Sequence, residues 1–213
     1  MKVLKGFYCK DRKGLNYFNP VIKNWINIMD KYASLTSGEY FHFYRERENI
    51  SALAGAAWGC DFVAMSEFSH AKLKKEDKDA NYLGRCDLYI ANNVKEYFVE
   101  AKHQWLSLQT RRSWPKAFSD GCLKASKDAN STKGEDEFAV LGITFFGLYM
   151  PMSKSENIDQ SLNSLEKYFE TRPFDAMAWY FPEGERKDQG LKSKNIIPGI
   201  AMAVENVSIK PRK

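Results

Sequence analysis

The 213-residue chain is poor in the residues that staple or anchor a protein. Its four cysteines, Cys9, Cys60, Cys86 and Cys122, are scattered without a C-x-x-C pair, which speaks against a zinc cluster or disulfide framework and for reduced thiols. Cys60 and Cys86 stand in apolar segments and read as core. The three histidines, His42, His70 and His103, share no ligand spacing, and His103 reads as a rim or core residue although it directly follows Lys102. No apolar run approaches the roughly 20 residues of a membrane span. Met1 to Lys13 is basic but has neither the long apolar region nor the small-residue cleavage site of a secretory signal, so a cytoplasmic location is expected. Internal repeats, low-complexity segments and an interdomain linker are also lacking.

The hydrophobic fraction of 44% and aromatic fraction of 14% are those of a globular chain, and the length suits one domain over residues 1–213. The net charge of +5, from 32 basic and 27 acidic residues, permits a polyanionic partner without requiring one. Its distribution is more telling: residues 101–133 hold seven Lys or Arg and two Asp. A solvated helix face accounts for part of that. Adjacent Arg111 and Arg112, with Lys116 and the nearby Trp105 and Trp114, also fit phosphate contact with aromatic stacking on nucleic acid.

Residues 1–18 show no clear period and receive no assignment, apart from the basic Lys10 to Lys13, which reads as loop. Asn19-Pro20 supplies a cap and a first-turn proline for a helix to about Ala33, in which Val21, Ile22, Trp25, Ile26, Met29 and Tyr32 recur at helical spacing. Ile50, Leu53, Ala54, Ala57 and Trp58 predict a second, Ala-rich helix preceded by Arg45-Glu46-Arg47-Glu48. Counting back along its apolar stripe places Glu46 on or beside the buried face, with Glu48 further round. Phe62 to Phe68 reads as a strand, and Ser69 to Asn81 as a charged loop whose Lys72, Lys74, Lys75 and Lys78 are solvated. A helix from Trp114-Pro115 carries Phe118, Cys122, Ala125 and Ala129 on one stripe, and 130–137 is a polar break. Phe138 to Met150 reads as a central strand, Glu156 to Glu170 as a helix, Ala176 to Phe181 and Ile196 to Val207 as further strands. Residues 183–194 read as a mobile loop, and 210–213 as a basic tail.

Two apolar runs, 84–91 and 96–101, bound the turn-rich Asn92-Asn93-Val94-Lys95 and predict a β-hairpin. With Ala91 opposite Glu96, the register sets Asp87 against Glu100 on one face. Side chains alternate along a strand, so Glu100 and Lys102 share that face and Ala101 points away. Two carboxylates with Cβ atoms about 5 Å apart repel, so something positive belongs between them. A hard cation such as Mg²⁺ suits the arrangement, because it takes one or two carboxylates and completes its shell with water and phosphate oxygen. Lys102 is then placed to orient or deprotonate water, or to neutralise charge developing on phosphorus.

Asp87, twelve intervening residues, then Glu100-Ala101-Lys102 resembles the D-x(n)-E-x-K signature of the PD-(D/E)XK nuclease superfamily, the restriction-endonuclease-like fold. The proline that often precedes the aspartate is replaced here by Cys86, at a position that varies within the superfamily. The resemblance implies that Asp87 and Glu100, with the Ala101 carbonyl, hold Mg²⁺ or Mn²⁺ and that Lys102 assists phosphodiester hydrolysis. It also implies a helix carboxylate at the site, for which Glu46 is the candidate and Glu48 the fallback, although acidic residues favour a first helical turn for dipole reasons alone.

The expected fold is therefore α/β with an αβββαβ core over about 45–150 and a mixed central sheet. Residues 1–44 form an N-terminal helical extension, and 151–213 add a helix and strands that widen the sheet. The expected activity is a Mg²⁺-dependent nuclease, an endonuclease rather than an exonuclease, acting on DNA; a homodimer or protein partner is left open. The rival expectation is a non-catalytic nucleic-acid- or protein-binding module on the same fold.

Overall fold

The computed structural model describes residues 3–11, 14–36, 39–73, 81–109, 113–132, 138–183 and 194–208. Along the chain come β1 (Leu4–Cys9), α1 (Asn19–Leu35), α2 (Glu46–Trp58), β2 (Val63–Leu73), β3 (Asn81–Ala91) and β4 (Glu96–Ser107). They are followed by α3 (Trp114–Ala129), β5 (Ala139–Pro151), α4 (Ile158–Glu170), β6 (Ala176–Phe181) and β7 (Asn195–Asn206). The fold is α/β: the seven strands form one mixed sheet in the order β1-β6-β7-β5-β4-β3-β2. Only β4 and β5 pair in parallel, joined by α3 as the crossover; the other neighbours are antiparallel. No helix among the described residues is long and apolar enough to cross a membrane.

Side-chain alternation builds a three-layer arrangement. Val21, Ile22, Trp25 and Met29 of α1, with Ile50, Leu53 and Ala57 of α2, bury against the odd-numbered Tyr97, Val99, Ala101, Leu141, Ile143 and Phe145. Phe118 of α3 and Leu162, Leu165 and Phe169 of α4 cover the opposite face through Phe146, Leu148, Met177 and Trp179. The central β5 is buried on both sides, which is why its sequence is a continuous apolar run rather than an alternation. Burying each large apolar side chain contributes about 1.5–3 kcal/mol, so this double core is the main source of stability.

Small residues set how closely the layers approach. Gly142 of β5 faces α3, and a Cβ there would lie 2.8 Å from the Ser126 amide nitrogen. The helix therefore lies almost directly on the strand at this point, and Gly142 is the partner of Glu100 across the β4–β5 ladder. The close approach brings the C-terminal end of α3 over β4.

Three sequence expectations are corrected here. The N-terminal extension, expected to be helical, also contains β1, which pairs with β6 and so needs no strong period of its own. The strand expected to end at Phe68 continues to Leu73, so part of the expected charged loop is sheet; residues 74–80 lie outside the described residues. Trp58, expected on the buried stripe of α2, is 61% exposed because it stands at the last turn, past the covered face. The expected mobile loop lies outside the described residues from 184 to 193, as does the basic tail at 210–213.

Candidate functional site

The hairpin closes as its turn chemistry dictates. Asn92 Oδ1 accepts the backbone N–H groups of Val94 and Lys95, at 2.9 and 2.8 Å, and Asn92 N–H donates to Lys95 O. Ala91 pairs with Glu96, and the β3–β4 ladder runs back through Ile90↔Tyr97 and Tyr89↔Phe98 to Leu88↔Val99. There it stops. β3 continues instead as a partner of β2 alone, while β4 continues alongside β5, so the two strands part just where Asp87 and Glu100 stand. The β2–β3 ladder is interrupted at the same level: Ser66↔Leu88 is followed by Phe68↔Cys86, omitting Asp87 and Glu67, whose φ is 52°.

Carboxylates fill the place of the missing ladder. Ala101 N–H, which in a continued register would face Cys86, donates to Asp87 Oδ2 at 2.8 Å. The next edge N–H, that of His103, faces toward the carboxylate of Glu46, the first residue of α2, and acts to lower its pKa. Two acidic side chains from different elements thus gather along the freed edge of β4, Asp87 through a hydrogen bond and Glu46 through its field. Glu48 is differently employed: its Oε2 accepts the Arg45 N–H at 3.1 Å and so caps α2.

Glu100 and Lys102 lie on the α3 face, and Ala101 points into the opposite core. Glu100 is buried, and its Oε1 receives both the Lys72 ammonium and the Thr132 hydroxyl at 2.8 Å. Lys102 Nζ donates to the Ala101 carbonyl at 2.8 Å and pairs with Asp128 of α3 at 3.0 Å. Asp87, Glu100, Lys102 and Glu46 are therefore brought together, the last by its coupling to Lys102 and Asp87.

Electrostatics follow from this crowding. Burial pushes the Glu100 carboxyl above the usual range, opposed by the Lys72 and Thr132 hydrogen bonds and assisted by Asp87. Burial likewise raises Glu46, with Lys102 pulling it down and Asp87 and Asp128 adding to the rise. Burial works to lower Lys102, but Asp128, Glu46 and Asp87 together hold it above the ordinary lysine value, so it stays an ammonium ion. His103 is lowered by burial and by Arg45.

Among the described residues, no group of three or more His, Cys, Asp or Glu side chains is gathered tightly enough to enclose a metal ion. Asp87, Glu100 and the Ala101 carbonyl are hard oxygen donors of the kind Mg²⁺ or Mn²⁺ takes, and each is engaged by the protein: Asp87 Oδ2 by the Ala101 N–H, Glu100 Oε1 by Lys72 and Thr132, and Ala101 O by Lys102 Nζ. The charges do not cancel. Asp87, Glu100, Glu46 and Asp128 set four carboxylates against the two ammonium groups of Lys72 and Lys102, leaving an excess of two negative charges when all are ionised.

Lys72, Thr132 and Asp128 were not apparent as site residues from sequence. A signal for Lys72 existed, since Phe68, His70 and Lys72 keep the period of two, and His70 stacks on Phe98 at 4.3 Å between ring centres. Asp128 sits three residues after the buried Ala125 and one before Ala129, beside the apolar stripe. Of the expected nucleic-acid contacts, Lys116 is exposed near the start of α3, and Arg111 and Arg112 lie outside the described residues. Comparison of the chain with protein-family models, curated proteins and solved structures returned no match.

Proposed function

We propose that the chain is a metal-dependent nuclease that hydrolyses phosphodiester bonds, most simply in DNA, on a restriction-endonuclease-like core running from α2 through β2, β3, β4 and α3 to β5. The observation that carries this reading is the opening of β3 from β4 at Leu88/Val99, with Asp87, Glu100, Lys102 and Glu46 gathered beside it. Asp87 and Glu100 would hold the ion together with the Ala101 carbonyl. When bound, Mg²⁺ or Mn²⁺ supplies Lewis-acid polarisation of a phosphoryl oxygen and a water acidic enough to attack phosphorus.

The chain's own groups have separable tasks. Asp87 is aimed by the Ala101 N–H, so its second oxygen is presented without rotamer search. Lys102, held protonated by three carboxylates, serves as a fixed positive charge for the pentavalent phosphorus rather than as a proton acceptor. Glu46, its pKa raised by burial, is the group suited to accept a proton from water.

Purified protein should nick or degrade DNA with Mg²⁺ or Mn²⁺ and lose that activity in EDTA; wild-type activity in Asp87→Ala or Lys102→Ala would overturn the assignment. The internal ion pairs of Glu100 and Lys102 favour one rival, a binding module in which the network is structural. That rival predicts salt-sensitive nucleic-acid binding with no cleavage in any metal.

A further inference from the structure

We propose that Lys72 is a further member of the site: its ammonium group holds Glu100 until a divalent cation takes its place, so the lysine and the ion compete for one carboxylate. This rests on the metal-dependent reading above. Lys72 belongs to β2, two strands away from Glu100, yet its Nζ lies 2.8 Å from Glu100 Oε1 and the residue is only 8% exposed.

The route its side chain takes is built into the sheet. The stem crosses β3 over Gly84, where a Cβ would lie 2.7 Å from Lys72 Cδ and 2.9 Å from Cγ. At the far end Thr132 Oγ1 donates to the same Glu100 oxygen at 2.8 Å, and the backbones of Lys72 and Thr132 form an isolated antiparallel bridge. Glu100 therefore sits in a socket with two donors on one oxygen.

The ion pair is not needed to pin β2 against α3, because the backbone bridge already does so. A buried pair, moreover, is often no more stabilising than apolar residues of equal volume. What the lysine uniquely supplies is a positive charge on a carboxylate that the nuclease reading assigns to a cation. Glu100 Oε1 already accepts from Lys72 and Thr132, so an ion that takes this oxygen releases Lys72, and the adjacent ammonium charge weakens ion binding at either oxygen.

The test is titration calorimetry of the intact protein with Mn²⁺, comparing wild type with Lys72→Met, Lys72→Arg and Glu100→Gln, alongside melting temperatures with Mn²⁺ and with EDTA. Lys72→Met should bind Mn²⁺ at least roughly tenfold more tightly, a modest gain for removing one adjacent charge. Its melting temperature should also rise more on adding Mn²⁺ than that of wild type. Lys72→Arg, which keeps the charge, should stay near wild type. Equal or weaker Mn²⁺ affinity in Lys72→Met overturns the exchange while leaving the nuclease reading in place, provided wild-type binding is lost in Glu100→Gln. Mn²⁺ binding that is absent, or unaffected by Glu100→Gln, overturns both. Should Lys72→Met fail to fold, Gly84→Ala displaces the stem without removing the charge; it should also tighten Mn²⁺ binding, and an unchanged affinity there counts against the proposal.

Discussion

Replacing Gly142 with alanine tests whether the site is held by the close approach of α3 to β5. The added methyl would lie 2.8 Å from Ser126 N and 3.0 Å from the Ala125 carbonyl carbon and Ser126 Cα. All three are backbone atoms, so no rotamer change relieves the overlap, and helix or strand must shift by several tenths of an ångström. Overpacking of this kind costs about 1–3 kcal/mol. In a chain of this length each kcal/mol lowers the melting temperature by about 2–4 °C, so a fall of about 4–8 °C is expected at mid-range. The shift should be felt at the site, because α3 carries Asp128 and leads to Thr132, the partners of Lys102 and Glu100.

Gly55→Ala is the internal control. It lies within α2, and the nearest atom to an added Cβ there is Ile28 Cδ1 at 3.9 Å, an ordinary contact. Alanine in place of a helical glycine should stabilise by about 0.5–1 kcal/mol. Scanning calorimetry of both variants in one buffer should therefore give shifts of opposite sign. A Gly142→Ala protein within about 0.5 kcal/mol of wild type, or two shifts of the same sign, would refute the reasoning.

Other consequences follow from single residues. Lys102→Met removes the ammonium that faces Glu46, Asp87 and Asp128; cleavage should fall by roughly a hundredfold or more while Mn²⁺ binding is kept or strengthened, as read by plasmid nicking and calorimetry on the same sample. His42 is fully buried, and burial pushes its pKa down from 6.5 to about 3. The unfolded chain then binds a proton that the folded one refuses, so the contribution is intact above the ordinary histidine value and is lost as pH falls through it. Stability should drop by roughly 2 kcal/mol between pH 7 and pH 5 from this group, and urea unfolding of His42→Gln should show a flatter pH dependence. Trp25 is fully buried and Trp58 is 61% exposed, so Trp25→Ala should cost about 3–5 kcal/mol and Trp58→Ser less than about 0.5 in the same assay. Cys86 is buried with its thiol pushed up to about 12, so it should resist thiol reagents at neutral pH until the protein unfolds.

Much of the site was legible because it is written in local terms. The Asn92 turn and the period of two along 96–102 each depend on neighbours a few residues away, and each appears as expected; Pro20 does stand in the first turn of α1, but Asn19 lies within the helix and Phe18, not Asn19, is at the cap. The helix stripe through Phe118, Cys122, Ala125 and Ala129 is likewise a local pattern, and all four are buried. The sequence by itself therefore determined the β3–β4 hairpin, the four helices and the central strand β5, and that Glu100 and Lys102 share a face, but not β1 or the full length of β2.

What only the tertiary structure decided is where β3 leaves β4 and which charges then meet. Lys72 sits among polar and charged residues that look solvated, and its burial depends on Glu100, 28 residues on, and on the space above Gly84. Asp128 and Thr132 reach the site because Gly142 lets α3 lie close to the sheet, and nothing near them in sequence encodes that glycine. Local patterns specify the direction in which a side chain leaves the backbone; the partner it meets is set by the packing of elements distant in sequence, and the charge balance of this site exists only at that level.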